Sequence, residues 1–87
     1  MSSLLTLEKA KEIVETAFLP YRCVTKVDLT DASFSLAVLE DDQVLLSIAH
    51  VARMQYANRV HLAALIEQSR VELAHDGYRL EIWSMPD

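Results

Sequence analysis

Glycine is almost missing: Gly77 is the only one in 87 residues. Loops that wrap a phosphate, cradle a dinucleotide or present a nucleophilic serine need several glycines, because backbone there must approach a ligand closely or adopt positive φ. Those chemistries are excluded. Cysteine is equally scarce. Cys23 stands alone, so no intrachain disulfide can form, and a domain this small without staples points to a reducing compartment. Positive charge is short as well, with Lys and Arg numbering 8 against 13 Asp and Glu, a net charge of −5. An acidic chain has no general attraction to nucleic acid or to anionic membranes. No run approaches the ~18 apolar residues of a membrane span. The first residues also lack the basic and apolar regions of a secretion signal, since Glu8 and Lys9 interrupt them. The expectation is a soluble cytoplasmic protein.

What is present is a globular balance, 52% hydrophobic and 24% charged. Residues 1–87 read as a single α+β domain, with size scaling placing roughly 9,000 Å² of surface out of water on folding. From about Thr6 to Phe18, Leu7, Ala10, Ile13, Val14 and Ala17 fall on one helical face, and Glu8, Lys9, Lys11, Glu12 and Glu15 on the other. Ser3 or Thr6 can cap this helix, and Pro20 ends it by forcing Leu19 from helical geometry. Tyr21 to Leu29 then alternates, Thr30–Ala32 is a turn, and Ser33 to Val38 alternates again. Asp41 and Asp42 form a second tight turn before a third strand, Val44 to Ala49. Three short strands with short turns read as an antiparallel meander. From His50 to Tyr56 the pattern is irregular. Asn58 caps a second long helix ending near His75, Gly77 closes it, and Tyr78 to Trp83 alternates as a fourth strand. Helix, three-strand meander, helix and strand make a two-layer fold. A right-handed crossover places both helices on one face of a four-stranded mixed sheet. The tail, Ser84 to Asp87, is expected to be loose.

The run Thr16-Ala17-Phe18-Leu19-Pro20-Tyr21-Arg22-Cys23 resembles the most recognisable segment of a small pseudomonad protein family that is catalogued only as a domain of unknown function. The helix before it and the hairpin after it are also similar, over about two-thirds of the chain. The resemblance implies no activity and no site residue.

Candidate chemistry is therefore weighed from the residues. Cys23 points inward on the strand alternation and reads as a buried, inert thiol. His50, His61 and His75 match no standard zinc spacing, so neither metal nor cofactor is expected. Asp41–Asp42 lacks the further oxygen ligands of a calcium loop. No catalytic residue emerges, and the chain is expected not to be an enzyme. His50, with Arg53, Tyr56 and Arg59, forms a weak ligand or partner patch, which in an alternative reading serves a small ligand-binding protein or enzyme and in the bland one is a solvated helix entrance. Nucleic acid is not an expected partner of so acidic a domain. The sheet face away from the helices is more suggestive. It is expected to carry Val24, Ser33, Ser35, Ala37, Leu39, Ser47, Ala49 and Trp83, with Leu45 beside them if the register is right. Arg79 and Glu81 of the fourth strand would join that face. Small, weakly polar side chains next to a tryptophan suit a close-approaching partner. Val24, Ala37, Leu45 and Trp83 are the candidate interface of a homodimer or of a complex with an unidentified protein. The bland alternative is a thin sheet with a tolerated exposed tryptophan.

Overall fold

A computed structural model describes residues 4–86. Its elements are α1 (Leu7–Thr16), β1 (Arg22–Asp28), β2 (Ser33–Glu40), β3 (Gln43–Val51), the single-turn α2 (Arg53–Tyr56) and α3 (Arg59–His75). The strands form one antiparallel sheet in the order β1-β2-β3. The helices pack over one side of it, and the molecule is flat, 37 × 28 × 16 Å.

Each element begins where local chemistry dictates. The Thr6 hydroxyl accepts the Lys9 amide and caps α1. Asn58 caps α3 by accepting the amides of Val60 and His61. Both satisfy backbone donors that the first helical turn leaves unpaired. The sequence pattern left Arg53–Tyr56 unassigned because one turn is too short to show a period. That turn is closed by the Gln55 carboxamide accepting the Ala52 amide at 2.8 Å.

The hairpins follow their aspartates. Asp28 accepts from the amide and hydroxyl of Thr30, and Asp31 does the same for Ser33, the usual way short acidic side chains stabilise turns. Glu40 faces Gln43, leaving Asp41 and Asp42 as the two-residue turn, with Asp41 at φ +55°. β3 bulges twice. Between the Phe34–Val51 and Leu36–Ile48 pairs, and again between Val38–Leu46 and Leu39–Val44, it spends one residue more than β2.

The core lies between the sheet and the helices. Ala10, Ile13 and Val14 of α1 and Leu62, Ile66 and Leu73 of α3 meet Cys23, Phe34, Leu36, Val38 and Val51 from the strands. Phe18, past the end of α1, is fully buried among them. The alternation expected for β1 and β2 is the observed one.

The expected fourth strand does not form, so the sheet has three strands and is wholly antiparallel. Gly77 does end α3, at φ +96°. The Tyr78 amide donates to the Leu73 carbonyl and the Gly77 amide to that of Ala74, the paired bonds of a left-handed helix terminus. The chain beyond joins no ladder and is held by other partners. The Glu81 amide donates to the Leu19 carbonyl at 2.8 Å, and the Arg79 amide to the Tyr21 hydroxyl at 3.1 Å. Arg70 of α3 donates to the carbonyls of Ala17 and Glu81, and its guanidinium lies over the Trp83 ring. Leu80 and Trp83 are consequently half-buried while Ile82 is fully exposed. Alternation with Tyr78, Leu80 and Ile82 inward holds for Tyr78 and Leu80, but Ile82 and Trp83 exchange places. Farther on, Met85 packs against the core and Arg59 donates to the Pro86 carbonyl. Contacts therefore extend through the segment expected to be loose, and Asp87 lies outside the described residues.

Candidate functional site

Cross-strand partners share a face of a sheet. The pairs Val24–Ala37 and Ala37–Ser47 therefore make one row across the face opposite the helices. Arg22–Leu39 and Leu39–Val44 make a second row beside it, and Lys26–Ser35 begins a third. Apart from Arg22 at the β1 end, the first two rows are small or apolar. Val24 is 37% and Val44 54% exposed, and Ala37 and Leu39 are half-buried. Charge is confined to the β1 rim, at Arg22, Lys26 and Asp28.

Of the expected interface set, Val24 and Ala37 come together on this face. Leu45 does not join them cleanly: it sits at the second bulge and packs against the core cluster. Trp83 is elsewhere, under the Arg70 guanidinium beside α3, because the segment that carries it is not a strand. Arg79 and Glu81 leave the face for the same reason. Ser33 has the right parity but is buried, its hydroxyl turned onto Asp31. Val44 was missed. Its exposure depends on the bulge that shifts it opposite Leu39, and a bulge has no signature in a strand rich in Val, Leu and Ile.

The His50 patch does not assemble. The Tyr56 hydroxyl donates to the Ala32 carbonyl at 2.6 Å and its ring packs on Phe34, so Tyr56 belongs to the core. Arg59 is engaged with Pro86. Arg53 is exposed at the start of α2. His50 instead meets Asp31, with Nε2 3.0 Å from the carboxylate. Together with Lys26, Asp28, Ser33 and Ser35 it borders a shallow hollow of about 480 Å³. The Ser33 hydroxyl bond and the imidazole beside Asp31 hold its carboxyl below the ordinary value of 3.8. A serine, an aspartate and a histidine meet here in an order unsuited to acyl transfer. The carboxylate stands between hydroxyl and imidazole, so the histidine is not placed to take the serine proton. The same contacts hold Ala32 at φ +54° from both sides, a backbone region that residues bearing a Cβ adopt only at a cost. Their work is structural.

Cys23 is buried as expected. Burial, with the negative charge of Glu15 second, pushes its thiol up to about 12, so it carries no thiolate near neutral pH. Among the described residues no group of three or more His, Cys, Asp or Glu is placed to hold a metal ion, and no helix is long and apolar enough to cross a membrane.

The chain belongs to the family described as protein of unknown function (DUF1652), whose model matches residues 8–73. The match runs from α1 into α3 and stops short of Gly77. It takes in the whole sheet and the run from Thr16 to Cys23 that carries the resemblance seen in the sequence. No curated protein and no solved structure matches the chain.

Proposed function

Starting from membership of that family, which brings no activity with it, we propose that this protein acts by binding another protein, without catalysis, through the uncovered face of its sheet. The observation that carries the reading is the pair of small and apolar rows, Val24–Ala37–Ser47 and Leu39–Val44, left in water on a face that no helix covers. Sheet faces turned to solvent ordinarily alternate to polar side chains, and contiguous apolar surface on a small protein marks an interaction site. The flatness of these side chains lets a partner's backbone or aromatic rings approach closely. Trp83 is not part of the contact.

Reading the protein as a small ligand-binding domain or enzyme at His50 draws less support, since Tyr56 and Arg59 are engaged within the fold and Asp31 occupies His50. The test is co-purification of the tagged protein from its native cells, alongside a Val24→Lys variant. A protein recovered with the wild type and lost with the variant, which stays folded, supports the reading. Recovery of the same proteins by both overturns it.

A further inference from the structure

The two edges of the sheet differ in chemistry. β1 carries Arg22, Lys26 and Asp28, and its Thr25 hydroxyl is tied to Glu15 of α1 at 2.8 Å. β3, nine residues of sequence QVLLSIAHV, holds no Lys, Arg, Asp, Glu or Pro, and among the described residues it pairs with β2 alone. Charges and prolines are the usual means by which an edge strand is kept from pairing with another chain. They guard one edge here and not the other. Behind the unguarded edge, between β3 and α3, lies a hollow of about 330 Å³ lined by Leu46, Ile48, Leu65, Gln68, Ser69 and Glu72.

We infer that the occupant of this edge is a second copy of the chain, pairing β3 antiparallel to β3 about a two-fold axis at Ser47 and joining two sheets into one of six strands. The inference goes beyond the binding role proposed above, because it concerns the β3 edge and not the uncovered face. Charge selects both the partner and the direction. The turn leading into β3 is acidic, with Glu40, Asp41 and Asp42, while the far end is followed by Arg53, His50 being already paired with Asp31. An antiparallel pair brings the acidic turn of each copy to Arg53 of the other, twice over. A parallel pair would set acid against acid.

Parity selects the register. Residues opposite each other must share a face, so only an axis through a residue keeps both helical layers on the same side. Placing it at Ser47 sets Leu46 against Ile48 in the regular stretch between the two bulges, where both are half-buried and border the hollow. It also sets Asp41 against Arg53.

A strand of nine residues is about 30 Å long. With the 16 Å thickness of the molecule, the two copies bury about 950 Å² between them, within the weak, reversible class of interface. The expected dimer is therefore weak and depends on concentration.

Light scattering after size exclusion, from about 10 μM to about 1 mM, reads this directly, with circular dichroism confirming the fold of each variant. Arg53→Asp should weaken the dimer about tenfold, since it removes both end pairs and adds repulsion. The swap of Asp41→Arg combined with Arg53→Asp should restore it. Val24→Lys, on the uncovered face, should leave it unchanged, and amide exchange at Leu46 to Ile48 should slow as concentration rises. A folded monomer at 1 mM overturns the inference while leaving the uncovered-face reading to its own test. A dimer abolished by Val24→Lys and indifferent to Arg53→Asp also overturns it, and places self-association on the uncovered face instead.

Discussion

Gly77 sits at φ +96° with open space where a Cβ would stand. Any cost of substitution there is therefore a backbone cost and not a clash. Gly77→Ala should lower stability by about 1 kcal/mol, Gly77→Val by more, and Gly77→Asn by less, because asparagine tolerates left-handed geometry. Urea midpoints for the three variants check that order, and a steric explanation would fail to spare asparagine. Asp31 gives a second residue-scale expectation. Its carboxyl is held below 3.8 in the folded protein, first by the Ser33 hydroxyl and then by His50. A group whose folded pKa is depressed contributes stability that is present above the unfolded value and lost as pH falls through the folded one. The stability difference between wild type and Asp31→Asn should therefore hold from neutral pH down to about pH 5. It should then narrow below pH 4. Denaturant titrations at several pH values measure it, and a difference that widens with acid would contradict the assignment.

The elements show how one side chain replaces a missing strand. Arg70 reaches from α3 to the carbonyls of Ala17 and Glu81 and lies over Trp83, tying three parts of the chain together. Its planar fork can serve two carbonyls and a ring at once, which a lysine ammonium cannot. Arg70→Lys should free residues 78–86, shift Trp83 fluorescence to the red and lower stability by about 1–3 kcal/mol. The core made by α1, α3 and the strands should persist, and fluorescence together with limited proteolysis would detect the release. An unshifted Trp83 spectrum in this variant would mean that Leu80 and Met85 hold the segment by packing alone. The family match ends at residue 73, so this strap lies beyond the part of the chain the family defines.

At the scale of the whole molecule, one layer of helices on one layer of sheet leaves a face and an edge uncovered, and both proposals arise from that shortage of layers. The exposed surface, 5889 Å², exceeds the roughly 5,200 Å² expected of a compact chain of this mass. Val24→Lys belongs to this scale. As a substitution on an uncovered surface it should change stability by no more than about 0.5 kcal/mol while removing a partner from the face. Much of this plan was legible beforehand. The caps at Thr6 and Asn58, the aspartate turns, the inward set Cys23, Phe34, Leu36 and Val38, and the role of Gly77 all depend on periodicity or on side chains bonding within a few residues. Trp83 and the Arg53–Tyr56–Arg59 grouping were not legible, because alternation says that a segment can be extended and never which groups will satisfy its backbone.

The sequence by itself determined the two long helices and the three strands, the caps and turns that bound them, and the inward side of α1, β1, β2 and α3. It also determined that glycine-rich phosphate loops and disulfides have no place here. These follow from local sterics and from the short reach of side-chain caps. Only the tertiary structure decided that the sheet closes at three strands and that Arg70, not a ladder of backbone bonds, takes the last segment. It alone decided that β3 keeps an uncharged edge while β1 does not. Those outcomes turn on competition among residues distant in the chain for the same donors, acceptors and apolar surface, and no local pattern records who wins.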